Sequence, residues 1–171
     1  MVADLLDQPL VGFDADAVDA AVGQVRDHVG WHIAPSATET VTLDGPGSDT
    51  LLLPSLLVTA VASVAENGML LDPSTYDWSA NGVVERIRGR WTGRRRGLVV
   101  SFTHGYTECP PAVRAVVQRL AVDPALIGVR SESQTKGPYA RSRTFEPGAR
   151  SGAIDEYTER ILARYKLPAR S

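Results

Sequence analysis

The amino-acid sequence predicts an α+β fold, and three observations carry that expectation. Apolar residues recur with a helical period over three stretches, about 14–30, 111–122 and 154–165. Between the first two lies a β-rich region, about 39–106, with alternating or β-branched runs separated by glycine and proline turns. The length, 171 residues, suits one compact domain that buries its own core.

From Asp14 onward, Val18, Ala21, Val22, Val25 and Val29 fall on one helical stripe, with Asp14 or Asp16 as cap and Gly30 as stop. "ETVTLDG" then alternates Val41 and Leu43 against Thr40 and Thr42, and "GPG" at 45–47 signals a turn. "TLLLPSLLVTAVASVAENGMLL" has the length of a helix, but Pro54, its β-branched residues and Asn67-Gly68 favour short strands and a hairpin at 66–68. "GVVERIR" and "GLVVSFTHGY" read as a second hairpin, with Leu98, Val100 and Phe102 sharing one face. Pro110 and Pro111 suit the first turn of a helix whose stripe is Val113, Val116, Val117 and Leu120. Residues 128–152, rich in Gly, Ser, Pro and Arg, read as an extended arm. The last helix places Ile154, Tyr157, Ile161 and Tyr165 on one side, pairs Glu156 with Arg160, and stops before Pro168.

A formal net charge of -2 hides a strong asymmetry. Residues 1–80 hold twelve acids and one base, whereas residues 81–150 hold thirteen bases and five acids. Such a bipolar chain either folds its two signs together or presents them to neighbouring copies, head to tail. The densest basic stretch is "RIRGRWTGRRRG", Arg86 to Gly97, with six arginines in twelve residues. No apolar run reaches the roughly 18 residues of a membrane helix. "MVADLLDQPL" lacks the basic start of a secretory signal, and a single cysteine, Cys109, fits a reducing compartment such as the cytoplasm of the producing cell.

Chemistry finds little support. His28 and His32 have the i, i+4 spacing of a zinc pair, but Gly30 interrupts the helix and no Glu follows His28. Cys109 and His104 invite a thiolate–imidazole reading, yet nothing nearby supplies a third member. "GPGSDT" lacks the lysine of a P-loop, and no dinucleotide fingerprint is present. The expectation is a protein without cofactor, metal or catalytic residues. The arginines with Trp91 could bind single-stranded nucleic acid by phosphate contact and base stacking. A pI near 5.9 argues against a dedicated nucleic-acid module, so a solvated or intersubunit cationic hairpin is preferred.

The order of segments carries a resemblance. "GWHIAPSATETVTLDGPGSDTLLLPSLLVTAVASVAENGMLL", "YDWSANGVVERIRGRW", "LVVSFTHGYTECPPAVRAVVQRLA" and "SESQTKGPYARSRTF" resemble the head-to-tail connector (adaptor) proteins of tailed bacteriophages, especially those of actinobacteria. The "FTHGY…PPAV" junction and the "SES…GPY" segment are its more specific parts, and it runs from about Asp14 to Pro168. It implies a small helical bundle carrying an inserted antiparallel β-region. It also implies a structural, non-enzymatic role: a homo-oligomeric ring, of about twelve copies, beneath the portal protein. That ring extends the DNA channel, touches genomic DNA only transiently, and docks a downstream stopper or tail protein. The expected location is the virion, with no membrane partner.

Within that frame, the basic stretch and the arm are expected to face a neighbouring copy or the portal. The residues concerned are Arg86, Arg88, Arg90 and Trp91, then Arg94, Arg95 and Arg96, and on the arm Tyr139, Arg141 and Arg143. The last helix and the tail "KLPARS", with Tyr165 and Lys166, are expected to engage the portal.

Overall fold

A computed structural model describes residues 5–6, 10–122 and 154–168 of the chain. The α+β class is observed: three α-helices accompany two antiparallel sheets. Helix α1, Ala15–Val29, begins where the Asp14 carboxylate accepts from the Ala17 N–H and ends at Gly30, whose φ of 78° needs a residue without a Cβ. Its buried stripe is Ala21, Val22, Val25 and Val29. Helix α2, Pro111–Val122, buries Val113, Val116, Val117 and Leu120 against it. These side chains join Trp31, Ile33, Cys109 and Leu162 in a helical core. Each fully buried Val or Leu stabilises by about 1.5–3 kcal/mol relative to exposure, so α1 and α2 are held by packing more than by intrinsic propensity.

The last helix differs from its expected form. Helix α3, Glu156–Leu162, is followed by a 3-10 turn at Ala163–Tyr165; of the expected stripe, Ile154, Ile161 and Tyr165 pack half-buried against the helical core. Its buried face is Thr158 and Leu162, while Tyr157 is 60% exposed and lies under the Arg119 guanidinium, 5.1 Å from the ring centre. Packing sets the buried face, since Leu162 is fully buried in the helical core, and Arg119 of α2 adds an ion pair to Asp155, the α3 cap, at 2.6 Å. The Glu156–Arg160 pair forms at 3.6 Å on the solvent side.

The β-region is two sheets. Strands β1 (Ala37–Leu43), β7 (Leu98–His104), β3 (Val58–Glu66) and β4 (Met69–Leu70) form the larger in that order. Strands β2 (Thr50–Leu52), β6 (Val83–Arg86) and β5 (Tyr76–Trp78) form the smaller. Between them Leu51, Val64, Val84, Trp91 and the Leu98–Val100–Phe102 face of β7 make a second core. The β3–β4 hairpin turns at Asn67 and Gly68, both at positive φ.

The second expected hairpin is not formed. Strands β6 and β7 lie in different sheets, because both edges of β7 are already taken by β1 and β3. The basic stretch between them is therefore a crossover from one sheet to the other. The arm expected over 128–152 lies outside the described residues.

Strand β7 also orients the molecule. Its first residue, Leu98, follows the arginines, and its last, His104, meets Trp31 and His32 beside the helical core. A seven-residue strand rises roughly 20 Å between a β pole carrying the arginines and a helical pole carrying α1, α2 and α3.

Candidate assembly surface

The crossover is pinned by its backbone. The Trp91 N–H donates to Ser48 O, Gly47 N–H to Thr92 O and Gly45 N–H to Arg94 O, which ties residues 91–94 to the 44–48 turn. A Cβ at Gly45 would sit 1.9 Å from Thr92 O, so only glycine lets the two segments lie this close. Arg96, at φ 52°, donates its N–H to the Asp44 carboxylate at 2.7 Å. Asn67 N–H donates to Gly97 O at 2.7 Å and brings the β3–β4 turn alongside.

Two of the expected surface residues turn inward. Trp91 is 2% exposed, with Tyr76 at 6.4 Å between ring centres and the Arg86 guanidinium over its face at 4.8 Å. Arg86 pairs with Glu66 at 2.7 Å, and the other Glu66 oxygen accepts the Thr92 N–H at 2.6 Å. Glu66 therefore staples the β3–β4 hairpin to both ends of the Arg86–Thr92 segment. Burial also removes Trp91 as a platform for base stacking.

Five arginines remain outward: Arg88, Arg90, Arg94, Arg95 and Arg96 are exposed and none has a side-chain ion pair among the described residues. Internal cancellation of the two signs is thus partial. On the other pole Asp14, Asp16, Asp19 and Asp27 of the α1 region are exposed. Lys166 is exposed, whereas Tyr165 is half-buried; its carbonyl accepts the Trp31 indole N–H at 2.5 Å, and burial pushes its hydroxyl pKa up. Tyr139, Arg141 and Arg143 lie outside the described residues.

Of the residues considered for chemistry, His32 and His104 come together, their ring centres 5.7 Å apart. Cys109 is buried in the helical core. His32 Nε2 meets Pro35 O at 2.5 Å while His28 sits in the last turn of α1. Among the described residues no group of three His, Cys, Asp or Glu could hold a metal, and no helix is long and apolar enough to cross a membrane.

His104 is 2% exposed, 3.2 Å from Glu39 and packed on Phe102. Burial holds its pKa below the usual value, with His32 adding to the shift and Glu39 opposing it. A histidine that stays neutral in the fold but protonates when unfolded removes stability as pH falls below its unfolded pKa, about 6.5. Stability is therefore full above that pH and declines toward the lowered folded pKa. Urea melts at pH 7.5 and 5.5 should show this loss, and His104→Gln should shrink it. An unchanged difference in the variant would assign the acid sensitivity elsewhere, with His28, also lowered mainly by burial, the next candidate.

Two sequence-invisible features complete the surface. Glu66 is its organising carboxylate, and Met69 and Leu70 stand 73% exposed just after the turn whose Asn67 contacts Gly97. The "NGMLL" turn was the available signal for the latter, since a tight turn leaves little room to bury the residues following it.

The fold, a helical core beside a two-sheet β-region, is shared with chains of solved particles. No protein-family model matches the chain, and no curated protein matches it. Among solved structures it is similar to a chain in the neck of a native gene transfer agent particle computed with C12 symmetry. That match has 14% identity and a TM-score of 0.60, over 93% of this chain and 86% of that one. A chain from the neck of the empty particle, computed with C6 symmetry, matches at 13% identity and a TM-score of 0.54, over 96% and 85%. A chain of the native gene transfer agent virion matches at 13% and 0.53, over 97% and 86%.

Proposed function

We propose that the chain is a structural neck protein of a tailed, phage-like particle: a head-to-tail connector that forms a ring beneath the portal. The observation that carries this reading is the fold likeness over nearly the whole chain to neck components of a particle solved with rotational symmetry. The outward display of opposite charge on two poles supports it, because heterologous contacts between unlike surfaces are what a closed ring requires. The burial of Trp91, with Arg86 drawn into its pair with Glu66, weakens the nucleic-acid reading, because the aromatic ring within the arginine stretch is no longer available for stacking.

In this role the ring extends the DNA channel, receives the portal on one side and offers the other to a stopper or tail protein. The exposed arginines face protein rather than the lumen, since strong phosphate binding would retard the passing genome. The α3 end, with Tyr165 and Lys166, is the segment assigned to the portal. Assembly takes place in the host cytoplasm and the product resides in the virion, with no catalytic part. Deleting the gene from the producing genome should yield DNA-filled heads without tails, visible by electron microscopy. Normal tailed particles from the deletion would refute the role.

A further inference from the structure

The β pole combines features that a solvated loop does not need. Met69 and Leu70, adjacent large apolar residues at 73% exposure, lie on the edge strand β4, just after the turn whose Asn67 contacts Gly97, the residue that follows Arg94, Arg95 and Arg96. Asp44 is the nearby carboxylate, and it is engaged by the Arg96 N–H. Methionine and arginine are enriched in protein interfaces, where apolar anchors are ringed by charge. Phosphate would reward the arginines but gain nothing from the apolar pair, so the patch fits a protein whose face is acidic and low in relief.

Such a face is present on the chain itself. The solvent side of α1 reads Asp16, Asp19, Ala20, Gly23 and Asp27, at helical spacing, and all five are exposed. Ala20 and Gly23 leave room for an incoming side chain to reach the helix backbone, between carboxylates. This face belongs to the helical pole and the arginine patch to the other end of β7, so one copy presents each to a different neighbour.

We infer that the Met69–Leu70 tip of one copy seats over Ala20 and Gly23 of a second copy's α1, with Arg94 and Arg95 against Asp19 and Asp27. The inference rests on the ring reading and supplies its subunit contact: two unlike patches on one chain propagate head to tail until the circle closes.

Sedimentation velocity, at increasing concentration and then with the portal protein of the same particle, tests it. Asp19→Arg/Asp27→Arg and Arg94→Glu/Arg95→Glu are chosen because these four residues are exposed and outside the caps. Each pair should raise the concentration needed for assembly by about tenfold or more, and their combination in one chain should restore it to within about threefold of wild type. Met69→Ser/Leu70→Ser should weaken assembly about tenfold while leaving its salt dependence unchanged. Unaltered urea melts would confirm that every variant folds. Failure of the combined variant to recover, or indifference to the α1 reversals while rings still form, would overturn the contact and leave the connector role standing. A wild-type chain that stays single even with its portal would overturn both.

Discussion

Replacing Trp91 by alanine is expected to destabilise the protein by about 3–5 kcal/mol, the range for emptying a buried aromatic site. For a domain of this size that is roughly a 10 °C drop in melting temperature. The indole lies between Tyr76 and Arg86 in the β core, and its removal leaves a cavity and strips the Arg86 guanidinium of the ring beneath it. Trp91→Phe should lose less than Trp91→Ala, because a ring still fills part of the site and the Nε1 it deletes has no hydrogen-bond partner among the described residues. Thermal melts of both variants check this. A Trp91→Ala protein as stable as wild type would mean that the ring is not packed between the sheets.

Glu66→Ala should be the next most damaging change, at about 3 kcal/mol, the lower end for breaking a buried pair. The lower end applies because both side chains retain some water contact, at 17% and 13% exposure. The loss has two parts: an Arg86 charge left without its carboxylate, and a Thr92 N–H left without its acceptor. The crossover should loosen even though no arginine has been touched, so hydrogen exchange at residues 91–97 should rise. Glu66→Gln should lose less, since an amide oxygen still accepts from Thr92. Equal losses in the two variants would show that the ion pair alone matters.

What the sequence made legible was whatever is local. The α1 stripe and its caps follow from residues close together along the chain, Asp14 to Gly30, and Asn67-Gly68 encodes its own turn. The alternation of β7 was equally plain, because its buried face repeats every second residue. Partnerships across distance were hidden. Two β-prone runs around a glycine-rich loop look like a hairpin, and only the occupation of both β7 edges by strands far along the chain sends β6 to another sheet. The same blindness placed Arg86 and Trp91 on the surface: among five other arginines, nothing nearby announces a carboxylate twenty residues upstream. Tyr157 lies outside the buried face because α3 is only seven residues long, and the full burial of Leu162, which its short apolar pattern did not include, sets which side faces the core.

The candidate surface was legible in outline and changed in substance. Among the described residues, positive charge after residue 80 is displayed outward by five arginines on a pinned crossover instead of on a hairpin. Pinning matters for assembly, since a backbone already fixed loses less entropy when its side chains meet a partner.

The central claim, that unlike charged poles join identical copies in a closed circle, is tested most directly by averaged electron-microscope images of the purified chain mixed with its portal. The account predicts closed rings in which the Arg94 and Arg95 guanidiniums of each copy lie against carboxylates of the next. Single subunits at every concentration, or rings whose arginines line the central channel, would contradict it.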